Sequence, residues 1–142
     1  MQTPPILHLS IPVRDMDEAR DFYVDVLGCR AARERQGFCD VWFHGMQVTL
    51  QERPGETGPA AGSCRHFGVT LGREEYDAVV ARVEGSMAAW IVPPETDDEG
   101  LATEQTKAKL ADPSGNVIEL KTYPDVHAAL EISSEDDPRR RP

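Results

Sequence analysis

The alternation of apolar and polar positions along this 142-residue chain occurs twice. Ile6-Leu7-His8-Leu9-Ser10-Ile11-Pro12 reads as a strand, and so does Cys64-Arg65-His66-Phe67-Gly68-Val69-Thr70. In each, a histidine is followed two places on by a small residue and then by a β-branched one. A helical pattern comes next in both cases. Asp15, with Glu18 three residues later, has the form of a capping box. Ala19, Phe22, Tyr23, Val26 and Leu27 then fall on one helix face, and Gly28 ends it. In the second copy Tyr76, Val79, Val80 and Val83 repeat at the same spacing and Gly85 closes the helix. Fixed self-similarity of this kind marks a duplicated structural unit.

Three strand-like segments follow each helix. They are residues 30–35, 38–43 and 47–53 in the first half, with His44-Gly45 as a hairpin turn. In the second half they are residues 88–92, 106–111 and 117–123, with Asp112-Pro113-Ser114-Gly115-Asn116 supplying the last turn. Each half is therefore β-α-β-β-β, the first spanning about 6–53 and the second about 65–123. The Pro-, Gly- and Ala-rich residues 54–63 form the expected linker. Residues 93–105 are expected as a long loop carrying five acidic side chains, of the kind that serves as a lid or a solvated surface. A single domain over residues 1–125 and a disordered tail over 126–142 complete the organisation.

Charge narrows the partners. A net charge of −10 argues against nucleic acid, which is bound mainly through Lys and Arg. It argues equally against an anionic membrane surface. No apolar run approaches the ~18 residues of a membrane span. Met1 to Pro5 leads without a basic and apolar signal pattern, so a cytoplasmic location is expected. Cys29, Cys39 and Cys64 have neither disulfide parity nor zinc-site spacing and are expected as packing residues, with Cys64 notable for lying two residues before His66.

Residues i and i+2 of a strand share a face. If the halves are related by an approximate two-fold, His8 and His66 point toward one central cavity. Glu119 stands in an otherwise apolar strand (Val117, Ile118, Leu120), where a buried carboxylate needs a counter-charge. Counting along residues 47–53 places Gln51 as its counterpart, with Gln47 and Thr49 on the same face. His8, His66 and Glu119 thus form a two-imidazole, one-carboxylate set suited to Fe(II) with open positions; Mn, Zn or Ni are further candidates. Lys121, in line with Glu119, is a candidate either to pair with it as a structural salt bridge or to reach a substrate anion. Tyr123, on the same face, is a candidate to donate its hydroxyl to substrate, and Gln51 is a candidate weak fourth ligand or hydrogen-bonding neighbour of the ion. Gln105 and Glu104 are candidate supporting groups. His44 and His127 read as surface residues.

These segments resemble the vicinal oxygen chelate superfamily, which includes glyoxalase I, extradiol dioxygenases and fosfomycin- and bleomycin-resistance proteins. The resemblance rests on residues 8–15 with 19–23 and 26–28, on 65–69, and on 110–121, and it is closest to glyoxalase-related proteins described as predicted dioxygenases. It implies an α+β fold in which two βαβββ modules form a U-shaped, eight-stranded mixed sheet around a divalent metal, commonly in a homodimer. It matches His8, His66 and Glu119 to the family's ligand positions and places Gln51 where glyoxalase I carries a proton-shuttling glutamate. The implied activity is that of a metal-dependent enzyme binding a small substrate through vicinal oxygens, foremost a dioxygenase. A glyoxalase-like lyase or isomerase and a non-catalytic small-molecule binding protein are the alternatives.

Overall fold

A computed structural model describes residues 3–58 and 64–139. The linker residues 59–63 and the tail residues Arg140, Arg141 and Pro142 lie outside the described residues. The first module runs through β1 (His8–Val13), α1 (Met16–Asp21), β2 (Arg30–Arg35), β3 (Phe38–Phe43) and β4 (Met46–Glu52). The second runs through β5 (Phe67–Thr70), α2 (Arg73–Glu84), β6 (Trp90–Asp97), β7 (Gln105–Ala111) and β8 (Val117–Thr122). A short α3 (Val126–Leu130) follows.

The strands form two separate four-stranded sheets, ordered β1-β4-β3-β2 and β5-β8-β7-β6. The expected eight strands are therefore present as two matched halves, with no hydrogen-bonded ladder joining β1 to β5. In each sheet the module's first strand pairs parallel to its last, and the other pairs are antiparallel. One hydrophobic core joins the modules. It holds Val13, Tyr23, Leu27, Val48 and Leu50 of the first with Tyr76, Val79, Val83, Leu110, Ile118 and Leu120 of the second. Such burial is the main force holding the halves together.

Local chemistry explains the element ends. The Asp15 side chain accepts from the Glu18 amide at 2.8 Å, as the capping pattern implies. The helix then widens into a π turn over Phe22–Val26, closed by the Leu27 amide on the Phe22 carbonyl at 3.2 Å. At the β3–β4 hairpin both turn residues take positive φ, 47° at His44 and 86° at Gly45, as a two-residue turn between twisted strands requires. β2 is charged and fully exposed, which suits an edge strand.

Three expectations need correction. β6 extends to Asp97, into the segment expected to be loop. Pro93 and Pro94 hid it, because proline cannot donate to a ladder; β6 is an edge strand and its register against β7 is interrupted on either side of Val92. β5 begins only at Phe67, so His66 precedes the strand instead of lying within it. The expected disordered tail carries α3, started by the Asp125 side chain accepting from the Ala128 amide at 3.0 Å. Further along it, Arg139 Nε lies 3.0 Å from Asp98 Oδ2.

A buried polar knot fixes the modules against each other. Asp112 Oδ1 accepts from the Ser114 amide at 2.8 Å and the Asn116 amide at 2.9 Å. The Tyr23 hydroxyl donates to Asp112 Oδ2 at 2.8 Å. Asn116 Nδ2 donates to the Pro12 carbonyl at 2.9 Å, and the Arg14 amide donates to Ser114 Oγ at 2.9 Å. Burial raises the Asp112 pKa despite these donors, and burial followed by the nearby Asp112 charge raises Tyr23 well above its ordinary range. The β7–β8 turn is thereby tied to the end of β1.

Candidate functional site

The close approach of β5 to β8 positions the site. Gly68 stands opposite Glu119 in that ladder, and a Cβ on Gly68 would lie 1.9 Å from the Glu119 carbonyl oxygen. Glycine is required here by proximity to a neighbouring backbone. Glu119 itself is buried, 6% exposed, on the face of β8 opposite to the core residues Ile118 and Leu120.

His66 Nε2 lies 3.0 Å from Glu119 Oε2. Its other ring nitrogen, Nδ1, lies 2.8 Å from the Cys64 carbonyl oxygen. A carbonyl and a carboxylate both accept, so each ring nitrogen is placed to donate, Nδ1 to the Cys64 carbonyl and Nε2 to Glu119. An Nδ1–H held by a backbone carbonyl is also what orients metal-binding histidines, in which an ion takes the place of the Nε2 proton. Cys64 was expected as a packing residue; its side chain is exposed and its backbone carbonyl orients His66. Cys29 and Cys39 are buried as expected, and burial pushes the Cys29 thiol up to about 12.

Two lysines complete the surroundings of Glu119. Lys109 Nζ lies 3.4 Å from Oε2 and Lys121 Nζ 3.3 Å from Oε1. The counter-charge that a buried carboxylate needs is thus supplied from within the chain. Lys121 was expected in line with Glu119. Lys109 stands directly opposite Glu119 in the β7–β8 ladder, and the alternation Lys107-Ala108-Lys109 was the signal that could have placed it there. A cavity of about 280 Å³ opens over this cluster, lined by His66, Gly68, Thr70, Glu119 and Lys121.

The other candidates lie further off. Tyr123 donates from its hydroxyl to Gln105 Oε1 at 3.2 Å, and Gln105 Nε2 reaches Asp97 Oδ2 at 3.4 Å. Glu104 accepts from the Gly100 amide, steadying the loop before β7. His44 and His127 are exposed. On the first sheet, His8 is exposed and stands opposite Gln47. Among the described residues no three His, Cys, Asp or Glu side chains gather as a metal site, so one chain brings together His66 and Glu119 without His8.

The register also places the counterpart of Glu119. Ser10 stands opposite Thr49 and Pro12 opposite Gln51, while Gly68 stands opposite Glu119 and Thr70 opposite Lys121. With the two histidines matched, Thr49 corresponds to Glu119 and Gln51 to Lys121. Gln51 lies on the face inferred for it, one pair further along, and its amide donates to Ser10 Oγ. Thr49 Oγ1 donates to Asp40 Oδ1 at 2.7 Å, and Asp40 Oδ2 accepts from Gln47 Nε2 at 3.1 Å and Arg33 Nε at 3.0 Å. Burial opposes ionisation of Asp40, but these donors outweigh it and hold the carboxyl below its ordinary range. The matched sites therefore differ in charge: an acid on β3 beside a neutral β4, against lysines beside an acid on β8.

The imidazole nitrogen and carboxylate oxygen offered by His66 and Glu119 are donors suited to a first-row divalent ion, and the hold of the Cys64 carbonyl on Nδ1 fits that use. The chain matches the Glyoxalase/Bleomycin resistance protein/Dioxygenase superfamily over residues 5–120 and belongs to it. A solved glyoxalase/bleomycin resistance protein/dioxygenase from Alicyclobacillus acidocaldarius is 32% identical, with a TM-score of 0.79 over 90% of this chain and 98% of that one. The fosfomycin resistance protein FosX from Listeria monocytogenes shares the fold at 12% identity, with a TM-score of 0.71 over 90% of this chain and 99% of FosX. A glutamate-to-glutamine mutant of that FosX, solved in complex with Mn(II) and 1S,2S-dihydroxypropylphosphonic acid, is 13% identical with a TM-score of 0.70 over 92% and 98% of the two chains. No curated protein matches the chain. No helix among the described residues is long and apolar enough to cross a membrane.

Proposed function

We propose that the protein is a metal-dependent enzyme that binds a small substrate through two neighbouring oxygens, at a site completed across a homodimer. His66 and Glu119 of one chain would hold the ion together with His8 of the second. The observation that carries this reading is the aimed pair: His66 Nε2 lies 3.0 Å from Glu119 Oε2, with Nδ1 tied to the Cys64 carbonyl. Two further facts support it. His8 occupies the matched position on the first sheet, and among the described residues no third donor joins the pair within one chain. The Mn(II) complex of the FosX mutant supports a divalent ion on this fold; Fe(II) is the favoured choice for this chain, ahead of Mn, Zn or Ni.

Bound there, the ion would supply Lewis-acid polarisation and a template for the substrate's two oxygens. Three protein donors leave positions free for both a bidentate substrate and O2, which favours dioxygenase-type oxidation. For a catechol the balance is one O2 consumed per ring opened, with both oxygen atoms retained in the product and no other reductant. The first sheet argues against glyoxalase-type isomerisation. Thr49 and Gln51, on the strand that would supply a second carboxylate, cannot take up a proton at neutral pH. Tyr123 is held by Gln105, which reaches Asp97, and Gln51 orders Ser10, two residues from His8.

Oxygen uptake by the Fe(II)-loaded protein against a panel of catechols tests this, beside hemithioacetal turnover by the Ni(II)- or Zn(II)-loaded form. The expected result is uptake with at least one catechol and no hemithioacetal turnover. Turnover without oxygen uptake would transfer the assignment to the isomerase class.

A further inference from the structure

Lys107, Lys109 and Lys121 lie close together at the β7–β8 ladder, where Lys107 stands opposite Lys121 and Lys109 opposite Glu119. They are not equivalent. Lys107 is balanced by Asp97 at 2.7 Å and Glu95 at 3.5 Å, and the bond from Asp97 raises its pKa. Lys109 and Lys121 share one carboxylate: among the described residues the ion pairs they make are with Glu119 alone. Two positive charges thus face one negative charge, in a chain whose net charge is −10. Overall composition does not account for a positive spot there, and a concave site of one sign concentrates ligands of the other.

We infer that Lys109 and Lys121 form an oxyanion seat, and that the substrate of this site carries a carboxylate or phosphonate group. The inference rests on the metal reading above and deepens it. A divalent ion held by His66 and Glu119 would occupy the Glu119 oxygens and repel both ammonium groups. Each lysine is about a third exposed, 32% for Lys109 and 36% for Lys121, so each has freedom to swing off Glu119 while its stem stays packed. The positive surplus then grows, and an anionic group of the substrate is the partner that restores balance. Thr70, opposite Lys121 and lining the same cavity, adds a hydroxyl donor for that group.

The test uses the full-length protein, with and without Mn(II), and three probes: oxalate, methylphosphonate and neutral ethane-1,2-diol. Free Mn(II) measured by electron paramagnetic resonance gives metal affinity. Calorimetry gives probe affinity in both forms, so neither readout depends on activity. The expected result is that oxalate or methylphosphonate binds the Mn(II)-loaded protein at least tenfold more tightly than the diol. Lys109→Met and Lys121→Met should each weaken anion binding by about tenfold, the scale of a charge-assisted hydrogen bond, while Mn(II) affinity holds or improves. Lys121→Arg should keep anion binding, which separates lost charge from lost fold. Whichever of the two anions binds more tightly names the head group. Anion affinity unchanged in both methionine variants, or no preference for the anions over the diol, overturns the inference. If Mn(II) fails to bind while lysine-dependent anion binding persists in the metal-free protein, the metal reading fails and the oxyanion seat stands.

Discussion

Replacing Glu119 with glutamine is expected to abolish metal binding at the site while leaving the fold in place. The amide keeps the volume and one acceptor oxygen but loses the charge that makes the carboxylate a strong ligand. Loss of a supporting group around a metal already costs about 10- to 100-fold in affinity, so loss of a direct ligand should cost at least about 100-fold, read by competition with a chelator. The stability effect should be small by comparison. Lys109 and Lys121 lose their counter-charge, but their tips reach solvent and can turn outward, so about 1–2 kcal/mol is expected by urea denaturation. A variant that kept its metal affinity would remove Glu119 from the ligand set.

Gly68→Ala is expected to be the most damaging single-methyl change in the second sheet. The added Cβ would meet the Glu119 carbonyl oxygen at 1.9 Å and the Glu119 carbonyl carbon at 2.8 Å. Those are backbone atoms of β8, held by ladders to β5 on one side and β7 on the other, so no side chain can swing away to make room. Either β5 peels from β8 or the ladder shifts, and a loss of about 3 kcal/mol or more follows. Ser10 is the internal control. It occupies the matched position of the first sheet and already carries a side chain, which accepts from the Gln51 amide. Ser10→Ala should cost about 0.5–1.5 kcal/mol, the worth of that hydrogen bond. Equal urea midpoints for the two variants would contradict the close approach as the reason for glycine.

Much of this architecture was legible in the sequence, for identifiable physical reasons. The repeat could be read because each module needs the same strand, helix and turn chemistry to bury one face. The Asp15 cap, the His44-Gly45 turn and the Asp112 to Asn116 turn followed from local rules that tertiary context did not override. The misreadings came from long-range effects. His66 was assigned to a strand by its alternation, but its ring is held by the Cys64 carbonyl ahead of β5, a contact no periodicity encodes. Pro93 and Pro94 disguised β6, since an edge strand tolerates prolines that an interior strand cannot. The offset between Gln51 and Thr49 arose because strands of similar length allow two registers on the same face; only the pairing of Ser10 with Thr49 distinguishes them. The buried Glu119 suggested a missing cation. Lys109 and Lys121 are two such cations, and their excess over one carboxylate became visible only with β7 laid beside β8.

The central claim is that a divalent ion is held between His66 and Glu119 of one chain and His8 of another, and mixing two inactive variants tests it directly. His8→Ala and His66→Ala proteins, each purified alone, should bind no ion at the site. Unfolded together in equal amounts and refolded, about half of the dimers form with one chain of each kind. Every mixed dimer then contains one intact site, with His8 from the His66→Ala chain and the His66–Glu119 pair from the His8→Ala chain, and one site lacking both histidines. Metal analysis of the mixture should therefore recover about a quarter of the wild-type metal per chain. A mixture as empty as its two components would contradict a site shared between chains, and a His8→Ala protein that bound metal at full stoichiometry by itself would remove His8 from the site.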